Sequence, residues 1–155
     1  YLIKNDKYLI KNKFIQLTAK HIQFKDQYGN LGTKPPWSKI VAVDLNDQKI
    51  LWSVPHGKRR VFTDKGETIV NGSPAWSGLI TTKSGILISA SSFEPSLDFY
   101  NKSNGKLIHS KPIPYTASAT PLTIMYKGKQ YIVLMLGNGD SRIDSGNIVS
   151  VYSLN

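Results

Sequence analysis

The sequence contains no cysteine, few acidic residues and no long apolar run. Without cysteine it can form neither a disulfide framework nor a thiolate metal site, and it has no thiol nucleophile. No apolar run approaches the roughly 20 residues that span a membrane, and the first residues lack the apolar core of a signal peptide. The chain does not begin with methionine, so we expect it to be a piece of a longer protein.

The scarcity of acidic residues leaves the chain strongly basic. Twenty Lys and Arg residues face ten acidic ones, for a net charge of +10, and residues 1–39 carry +6 of it. A basic balance can indicate nucleic acid or an anionic membrane surface as partner. The aromatic side chains do not alternate with the lysines, as a surface that stacks bases would require. We interpret the lysines as a solvated face and expect no nucleic-acid partner.

The distribution of apolar residues predicts an all-β fold. Twelve Gly and eight Pro separate short apolar runs, and no stretch keeps a helical apolar period for three turns. Tight hairpins are predicted within Leu79–Ala90 and Leu122–Leu136, and a last strand over Ile148–Leu154. Pro55–Pro74 has no apolar pattern and is predicted to be a long polar connection, with the basic run Lys58–Arg60 in a loop.

One strand-turn-strand unit recurs after 57 residues. Aligning Asp44 with Asn101 places VAVDLNDQKILW on DFYNKSNGKLIH, and Trp52 then falls on His109. Residues 149–154 look like the first half of a further copy. Periodic antiparallel β units of this size predict a propeller or another stacked β array, here about two blades of four strands each.

Four segments, in this order, resemble the last third of the quinoprotein glucose dehydrogenases. That family consists of eight-bladed β-propellers that use pyrroloquinoline quinone (PQQ). The resemblance runs from about Phe24 to the end, so residues 1–23 are a basic segment of unassigned role and residues 24–155 are the C-terminal blades. The four segments are Lys34–Trp37 followed by AVDLNDQKILWSVP, Gly72–Gly78, Ala119–Thr123 with Gly128–Val133, and Gly146–Leu154.

The resemblance implies part of a PQQ-dependent dehydrogenase that oxidises a sugar or alcohol hydroxyl. The intact enzyme would pass electrons to a quinone or cytochrome acceptor and would be periplasmic. In the family the calcium ligands and the catalytic carboxylate lie on earlier blades, so we expect the chain alone to be inactive. Its open blade faces would favour self-association. The alternative is a non-catalytic propeller segment that serves as a structural or binding module.

The resemblance also assigns a cofactor-facing role to four residues: Trp76, Gly78, Glu94 and Gly137. The Trp76 ring would lie at the axis side of the blades beside Glu94 and Gly137, although a tryptophan there could equally be a packing residue and Glu94 a loop carboxylate. No catalytic or metal-binding residue is assigned. Family glycines are replaced at several positions, which indicates relaxed constraint or an altered pocket: Gln48, Ser77, Thr116, Ala117 and Asn138.

Two further expectations follow from the repeat itself. Trp52 should be buried as a wedge between adjacent blades, and His109 should be a half-buried packing residue at the equivalent position. His21, His56 and His109 are far apart and share no metal-binding spacing.

Overall fold

The computed structural model describes residues 22–74, 77–90, 95–137 and 148–154. Within those ranges the secondary-structure elements are all β-strands. All strand pairs are antiparallel, which confirms the all-β prediction. The strands are β1 (Lys39–Asp44), β2 (Lys49–Pro55), β3 (Lys58–Thr63), β4 (Gly66–Asn71), β5 (Ile80–Thr81), β6 (Ile86–Ser89), β7 (Ser96–Asn101), β8 (Leu107–Pro112), β9 (Leu122–Tyr126), β10 (Lys129–Leu136) and β11 (Ile148–Leu154).

These strands form two sheets and two hairpins. Strands β5–β8 make a four-stranded meander, and β9, β10 and β11 make a three-stranded one with β10 in the centre. Strands β1 and β2 pair with each other, as do β3 and β4. The predicted four strands per blade are therefore seen, within the described ranges, only in β5–β8. The predicted hairpins and the last strand are all present.

The prediction of a polar connection over Pro55–Pro74 was wrong, because this stretch holds the β3–β4 hairpin. Its inward positions are Arg59 and Val61, which are both buried, and the Arg59 guanidinium lies 5.8 Å from the centre of the Trp37 ring. The exposed face carries an ion pair of 3.1 Å between Arg60 and Glu67. Because one of the two inward positions holds an arginine, the sequence does not show the alternation of apolar and polar residues that is typical of a strand.

The β5–β8 sheet has a packed core on each of its faces, since successive side chains of a strand point to opposite sides. The larger cluster joins this sheet to β10 and β11 and consists of Ile88, Ala90, Leu97, Ile113, Ala117, Ile132, Leu134 and Leu136. On the other face, Leu87 and Tyr100 pack against the β1–β2 hairpin through Ile40, Trp52 and Val54. The hairpin and the two sheets are thus stacked in the order β1–β2, β5–β8, β9–β11, as expected for a series of blades.

The repeat of the sequence is also a repeat of the backbone. Both hairpins contain a register shift at equivalent positions, between Ala42 and Val43 in the first and between Phe99 and Tyr100 in the second. Equivalent side chains also cap the turns. Asp44 Oδ1 accepts a hydrogen bond of 2.8 Å from the Asn46 amide, and Asn101 accepts one of 2.8 Å from Ser103.

The turns end on equivalent residues with left-handed backbone, Gln48 at a φ of 55° and Gly105 at 70°. Glycine adopts this conformation without steric cost, whereas a residue with a Cβ does not. The replacement of the family glycine by Gln48 therefore leaves the turn conformation in place and puts strain there.

Residues 22–33 form a separate small unit by their contacts. A bridge joins Lys25 to Leu31, and Asp26 Oδ1 accepts hydrogen bonds of 2.9 Å from the Tyr28 and Asn30 amides. The Asn30 side chain also donates to Asp26, and it is the main reason that the pKa of this carboxyl is lowered. The predicted boundary between residues 23 and 24 stays a prediction.

Candidate functional site

The segment from Thr116 to Thr120, which we call the 116–120 loop, brings together two of the four predicted cofactor-facing residues. It runs between Gly78, which precedes β5, and Gly137, which follows β10. Trp76 and Glu94 lie outside the described residues, so their predicted positions remain predictions. In the chain, however, Trp76 is two residues before Gly78, and Glu94 is four residues after Ala90, which also contacts this loop.

Gly78 contacts the 116–120 loop at its Thr120 end. A Cβ at position 78 would overlap the Thr120 side chain, so glycine is needed for this close approach. Beside it, the Ser77 hydroxyl donates a hydrogen bond of 2.9 Å to the Ala119 carbonyl. Ser77 stands where the family that this sequence resembles has a glycine. Its side chain fixes the loop through this hydrogen bond.

Gly137 contacts the loop at its other end. Its amide donates a hydrogen bond of 3.0 Å to the Thr116 carbonyl, and Ala117 forms an isolated bridge with Leu136. The Ala117 amide donates in turn to the Ala90 carbonyl at 3.2 Å, and the Ala117 methyl is fully buried. Ala117 thus belongs to the core, which explains why a small residue other than glycine fits at that position.

The described residues of this cluster offer only small side chains and backbone atoms. The space beside the Gly78 backbone is filled by the Thr120 side chain. Ser77, Gly78, Thr116, Ala117, Thr120 and Gly137 include no charged group that could bind a carboxylate or hold a metal. In the described part of the chain, no group of three or more His, Cys, Asp or Glu residues could bind a metal ion.

A second cluster, not predicted from the sequence, lies on the opposite face of the β5–β8 sheet. Ser89, Asp98 and Ser110 stand at one level on three adjacent strands, since Asp98 pairs with both serines. The Ser110 hydroxyl donates to Asp98 Oδ1 at 2.6 Å. His56, from the connection between β2 and β3, covers this row, and its Nε2 lies 2.6 Å from Ser89 Oγ.

The environment of this cluster sets its protonation state. Burial lowers the pKa of the His56 imidazole, and the nearby Asp98 charge only partly opposes that effect. Burial and then the Asp98 charge raise the pKa of the Tyr100 phenol, although the Gly57 backbone forms a hydrogen bond that acts in the opposite direction. At neutral pH the imidazole is therefore neutral and the phenol is protonated.

Serine, histidine and aspartate together raise the question of nucleophilic catalysis. The Ser89 side chain is fully buried and His56 is 3% exposed, so the hydroxyl is closed to a substrate. Asp98 accepts hydrogen bonds from Ser110 and, at a long 3.5 Å, from Tyr100 rather than from the imidazole. The His56–Ser89 pair therefore acts as a polar connection between the first hairpin and the sheet.

The sequence carried only a weak signal for this cluster. The two bonded residues, His56 and Ser89, are 33 positions apart. The signal was two polar residues next to apolar ones, Ser89 at the end of β6 and Asp98 between Leu97 and Phe99 on β7.

Trp52 and His109, the two equivalent positions of the repeat, differ in their surroundings. Trp52 is half-buried against the second hairpin, and its Nε1 donates a hydrogen bond of 3.1 Å to the Lys102 carbonyl. Trp52 was expected to be buried, and it is only partly buried where it packs against the second hairpin. The prediction that His109 is half-buried was wrong, since it is exposed and its ring lies 5.9 Å from that of Phe99.

Comparisons with known proteins agree with this architecture. The model of the PQQ glucose/ethanol/alcohol dehydrogenase β-propeller domain matches residues 4–132. The quinate/shikimate dehydrogenase (quinone) of Acinetobacter baylyi is 29% identical over 130 residues, 78% of this chain and 16% of that protein. The quinoprotein glucose dehydrogenase of Escherichia coli is 28% identical over 141 residues, 84% of this chain and 17% of that protein.

The comparison with solved structures shows a similar fold. The structure of the quinohemoprotein alcohol dehydrogenase from Comamonas testosteroni matches with a TM-score of 0.51 at 21% identity, over 82% of this chain and 17% of that one. The chain thus spans about a sixth of the length of the relatives it matches. In its described part, no helix is long and apolar enough to cross a membrane. With most of its length matched by the family model, the chain belongs to the PQQ-dependent glucose/ethanol/alcohol dehydrogenase β-propeller family.

Proposed function

We propose that this chain forms the C-terminal blades of a PQQ-dependent dehydrogenase for a sugar or alcohol hydroxyl, and that the 116–120 loop lines one side of its cofactor pocket. The observation that carries the proposal is the convergence of Gly78 and Gly137 on that loop. The family resemblance assigns Trp76 and Glu94 to the same wall. The loop is held by backbone hydrogen bonds and by the Ser77 hydroxyl, so it can present a rigid surface.

The wall would position the cofactor and exclude water from it, and it would take no part in proton transfer. When bound, PQQ would accept two electrons from the substrate, and a quinone or cytochrome would then receive them. The close contact of Gly78 with Thr120 would leave no gap for water on one side of the cofactor. The base and a calcium ion would come from blades outside this chain. A periplasmic location completes the proposal, and fractionation of the native cells would test it.

The isolated chain should have no dehydrogenase activity. Oxidation of a hydroxyl requires a base and a cation near the quinone oxygen, and the described cluster contains neither among its side chains. A dye-linked assay of the 155 residues with added PQQ and calcium should give no turnover above the free cofactor. Turnover of glucose or a simple alcohol by the chain alone would contradict this proposal.

A chimera tests the wall directly. The C-terminal segment of the Escherichia coli relative would be replaced by this chain, and PQQ affinity and thermal stability would be measured separately. We expect the chimera to be active and Trp76→Ala to weaken PQQ binding about tenfold, because an aromatic ring against the cofactor is lost. Trp52→Ala, the control, should lower stability and leave PQQ affinity unchanged.

Gly78→Ala provides a second variant of the same chimera. The added Cβ would displace Thr120 and the loop, so PQQ affinity should fall, and Thr120→Ala in the same chain should restore part of it. An inactive but well-folded chimera, or Gly78→Ala with normal affinity, would show that the wall lies elsewhere.

The second candidate function is a non-catalytic structural module, and the exposed apolar strand faces favour it. Val43 is 49% exposed, Leu51 64%, Met135 64% and Val149 62%, on the outer faces of the β1–β2 hairpin and the β9–β11 sheet. Faces of this kind need a cover, which we propose to be other blades or a second copy of the chain. Light scattering over a concentration series should show self-association of the isolated chain, and a strict monomer would contradict it.

A further inference from the structure

Four hairpin turns at one end of the strands are rich in lysine. They join β1 to β2, β5 to β6, β7 to β8 and β9 to β10, and comprise residues 45–49, 82–85, 102–106 and 127–129. We call these four segments together the basic turn face. The face holds a single acidic residue, Asp47. Its lysines, which are all exposed, are Lys49, Lys83, Lys102, Lys106, Lys127 and Lys129.

Hydrogen bonds place the first three turns on the same side of the fold. The Lys102 amide donates a hydrogen bond of 2.9 Å to the Gly85 carbonyl, which joins the β7–β8 turn to the β5–β6 turn. The Trp52 indole, near the turn end of β2, donates one of 3.1 Å to the Lys102 carbonyl. From there β2 leads away from its turn to His56, which contacts Ser89 at the far end of β6. The turns before β2 and β6 therefore lie at the same end.

The β9–β10 turn lies at this end as well, because β10 runs in the direction of β6. Ala90 follows the far end of β6, and its carbonyl accepts a hydrogen bond of 3.2 Å from the Ala117 amide. Ala117 also pairs with Leu136, the last residue of β10. Packed sheets of this kind keep their strands within about 30° of each other, so both strands start on one side. The opposite side carries the 116–120 loop.

The positive charge belongs to one end of the strands. Six lysines and one aspartate give the basic turn face a net charge of +5, whereas residues 113–121 at the other end contain no charged residue. Lys106 also lines a cavity together with Asp98, and the face carries +4 without it. Lys49 and Asp47 form an ion pair of 3.6 Å, but their side chains are 73% and 65% exposed, so the pair is weak. The face therefore attracts an anionic surface.

Apolar and aromatic side chains stand beside these lysines at two of the turns. Leu45, in the β1–β2 turn, is 85% exposed, and Tyr126, directly before the β9–β10 turn, is 58% exposed. The Lys127 ammonium lies 5.3 Å from the centre of the Tyr126 ring. At a bilayer surface a leucine enters among the lipid chains, a tyrosine lies at the headgroup level and a lysine stays with the phosphates. Nucleic acids and acidic proteins favour arginine instead, and the four turns contain none.

From these observations we infer that the basic turn face binds the surface of an anionic phospholipid bilayer. The lysines contact the lipid phosphates, and Leu45 enters the boundary between headgroups and acyl chains. The 116–120 loop then lies at the end of the strands that faces away from the lipid. The inference rests on the turns alone and does not depend on the proposed cofactor wall, so either can fail without the other.

Co-sedimentation of the full chain with lipid vesicles tests the inference without PQQ. Vesicles of phosphatidylcholine and phosphatidylglycerol, at a ratio of about 3:1, should bind the chain at least about tenfold more tightly than pure phosphatidylcholine vesicles. Raising the NaCl concentration from about 0.1 M to about 0.5 M should remove most of that difference, because salt screens exposed charges. Equal binding to the two kinds of vesicle, or binding that salt does not weaken, would overturn the inference.

Two double variants of equal charge show which end of the strands binds the lipid. Lys83→Glu combined with Lys102→Glu reverses two charges of the face and should weaken binding to the anionic vesicles at least about tenfold. Lys39→Glu combined with Lys111→Glu is the matched control, since these exposed lysines lie at the ends of β1 and β8 that are remote from the turns. The control should weaken binding by less than about threefold. Similar losses in the two double variants would overturn the inference.

A further variant separates a bilayer from an acidic macromolecule. Leu45→Ser should weaken binding to the anionic vesicles about fivefold, because an apolar side chain no longer enters the lipid. Leu51→Ser, at a leucine that is 64% exposed on the outer face of β2, is its control and should leave that binding unchanged. Polyglutamate and duplex DNA should bind at least about tenfold more weakly than the vesicles. Binding of either polymer as tight as that of the vesicles would overturn the inference, as would normal vesicle binding by Leu45→Ser.

Discussion

The β1–β2 and β7–β8 hairpins share a sequence unit, a register shift and a turn, yet they differ in what covers them. The first packs onto the second through Trp52, which donates to the Lys102 carbonyl and lies against Gly105. The equivalent residue of the second hairpin, His109, is exposed. The local backbone thus depends on residues within the unit, whereas burial depends on which neighbour follows it. This is the behaviour of stacked repeats, in which each unit completes the core of the next.

The contact at Trp52 should be the largest energetic difference between the two hairpins. Trp52→Ala removes a ring that packs on Tyr100 and Gly105, and we expect the free energy of unfolding to fall by about 3 kcal/mol. His109→Ala, the matched control, should change it by less than about 0.5 kcal/mol. Urea denaturation of both variants measures the difference. Equal losses would show that the first hairpin does not depend on the second.

The turns should respond differently to the same side chain. In Gly105→Ala the new Cβ lies 2.5 Å from the Trp52 ring, and the left-handed backbone adds strain, so we expect a loss of about 2 kcal/mol. Gln48→Ala places the same side chain at the equivalent position, where a Cβ is already present. Its free energy of unfolding should stay within about 0.5 kcal/mol of the native value. Similar losses at both positions would contradict the assigned contact.

The hydrogen bond between His56 and Ser89, which joins the first hairpin to the β5–β8 sheet, should make the stability of the chain depend on pH. Because burial lowers the pKa of His56 in the folded chain, the unfolded chain binds more protons below its ordinary pKa of about 6.5. The contribution of neutral His56 to the free energy of unfolding is therefore fully present above pH 6.5. It is lost as the pH falls from 6.5 through the pKa of His56 in the folded chain. His56→Gln can keep a hydrogen bond to Ser89 but cannot titrate.

Unfolding midpoints between pH 8 and 5 measure this effect. The native chain should lose more stability over that range than His56→Gln does. Parallel curves for the two proteins would show that His56 is not buried in its neutral form.

The smallest expected effect is an increase in the free energy of unfolding. Gln48→Gly removes the strain of a left-handed residue, partly offset by the greater freedom of the unfolded chain, and should stabilise the protein by about 0.5 kcal/mol. Asp47→Gly, one position earlier, should destabilise it, because no positive φ is relieved there. A destabilising Gln48→Gly would mean that the two turns are not equivalent.

The comparison of the hairpins also shows what could be read from the sequence. Turn formers and apolar alternation act over a few residues, so the strands around Gln48 and Gly105 and the last strand were predicted correctly. The β3–β4 hairpin was missed, because Arg59 occupies a buried position that patterning assigns to apolar residues. His109 was misjudged, since its burial depends on the neighbour on that side of the sheet.

The candidate sites show the same limit. Motifs could suggest Gly78 and Gly137, but their meeting at the 116–120 loop depends on the packing of β5 and β10. The contact between His56 and Ser89 was not predicted at all. The two residues are 33 positions apart, and they meet only when the first hairpin packs on the β5–β8 sheet.

Titration of the ¹⁵N-labelled chain with PQQ tests the proposal that the 116–120 loop is a wall of the PQQ pocket. Because one wall alone binds weakly, we expect a dissociation constant above about 10 μM. Saturable shifts should be confined to the amides of Ser77, Gly78, Thr116, Ala117 and Gly137. A benzene tricarboxylate of equal charge should not reproduce them. Shifts that the tricarboxylate reproduces, or that concentrate at Lys58 and Lys106, would contradict the claim.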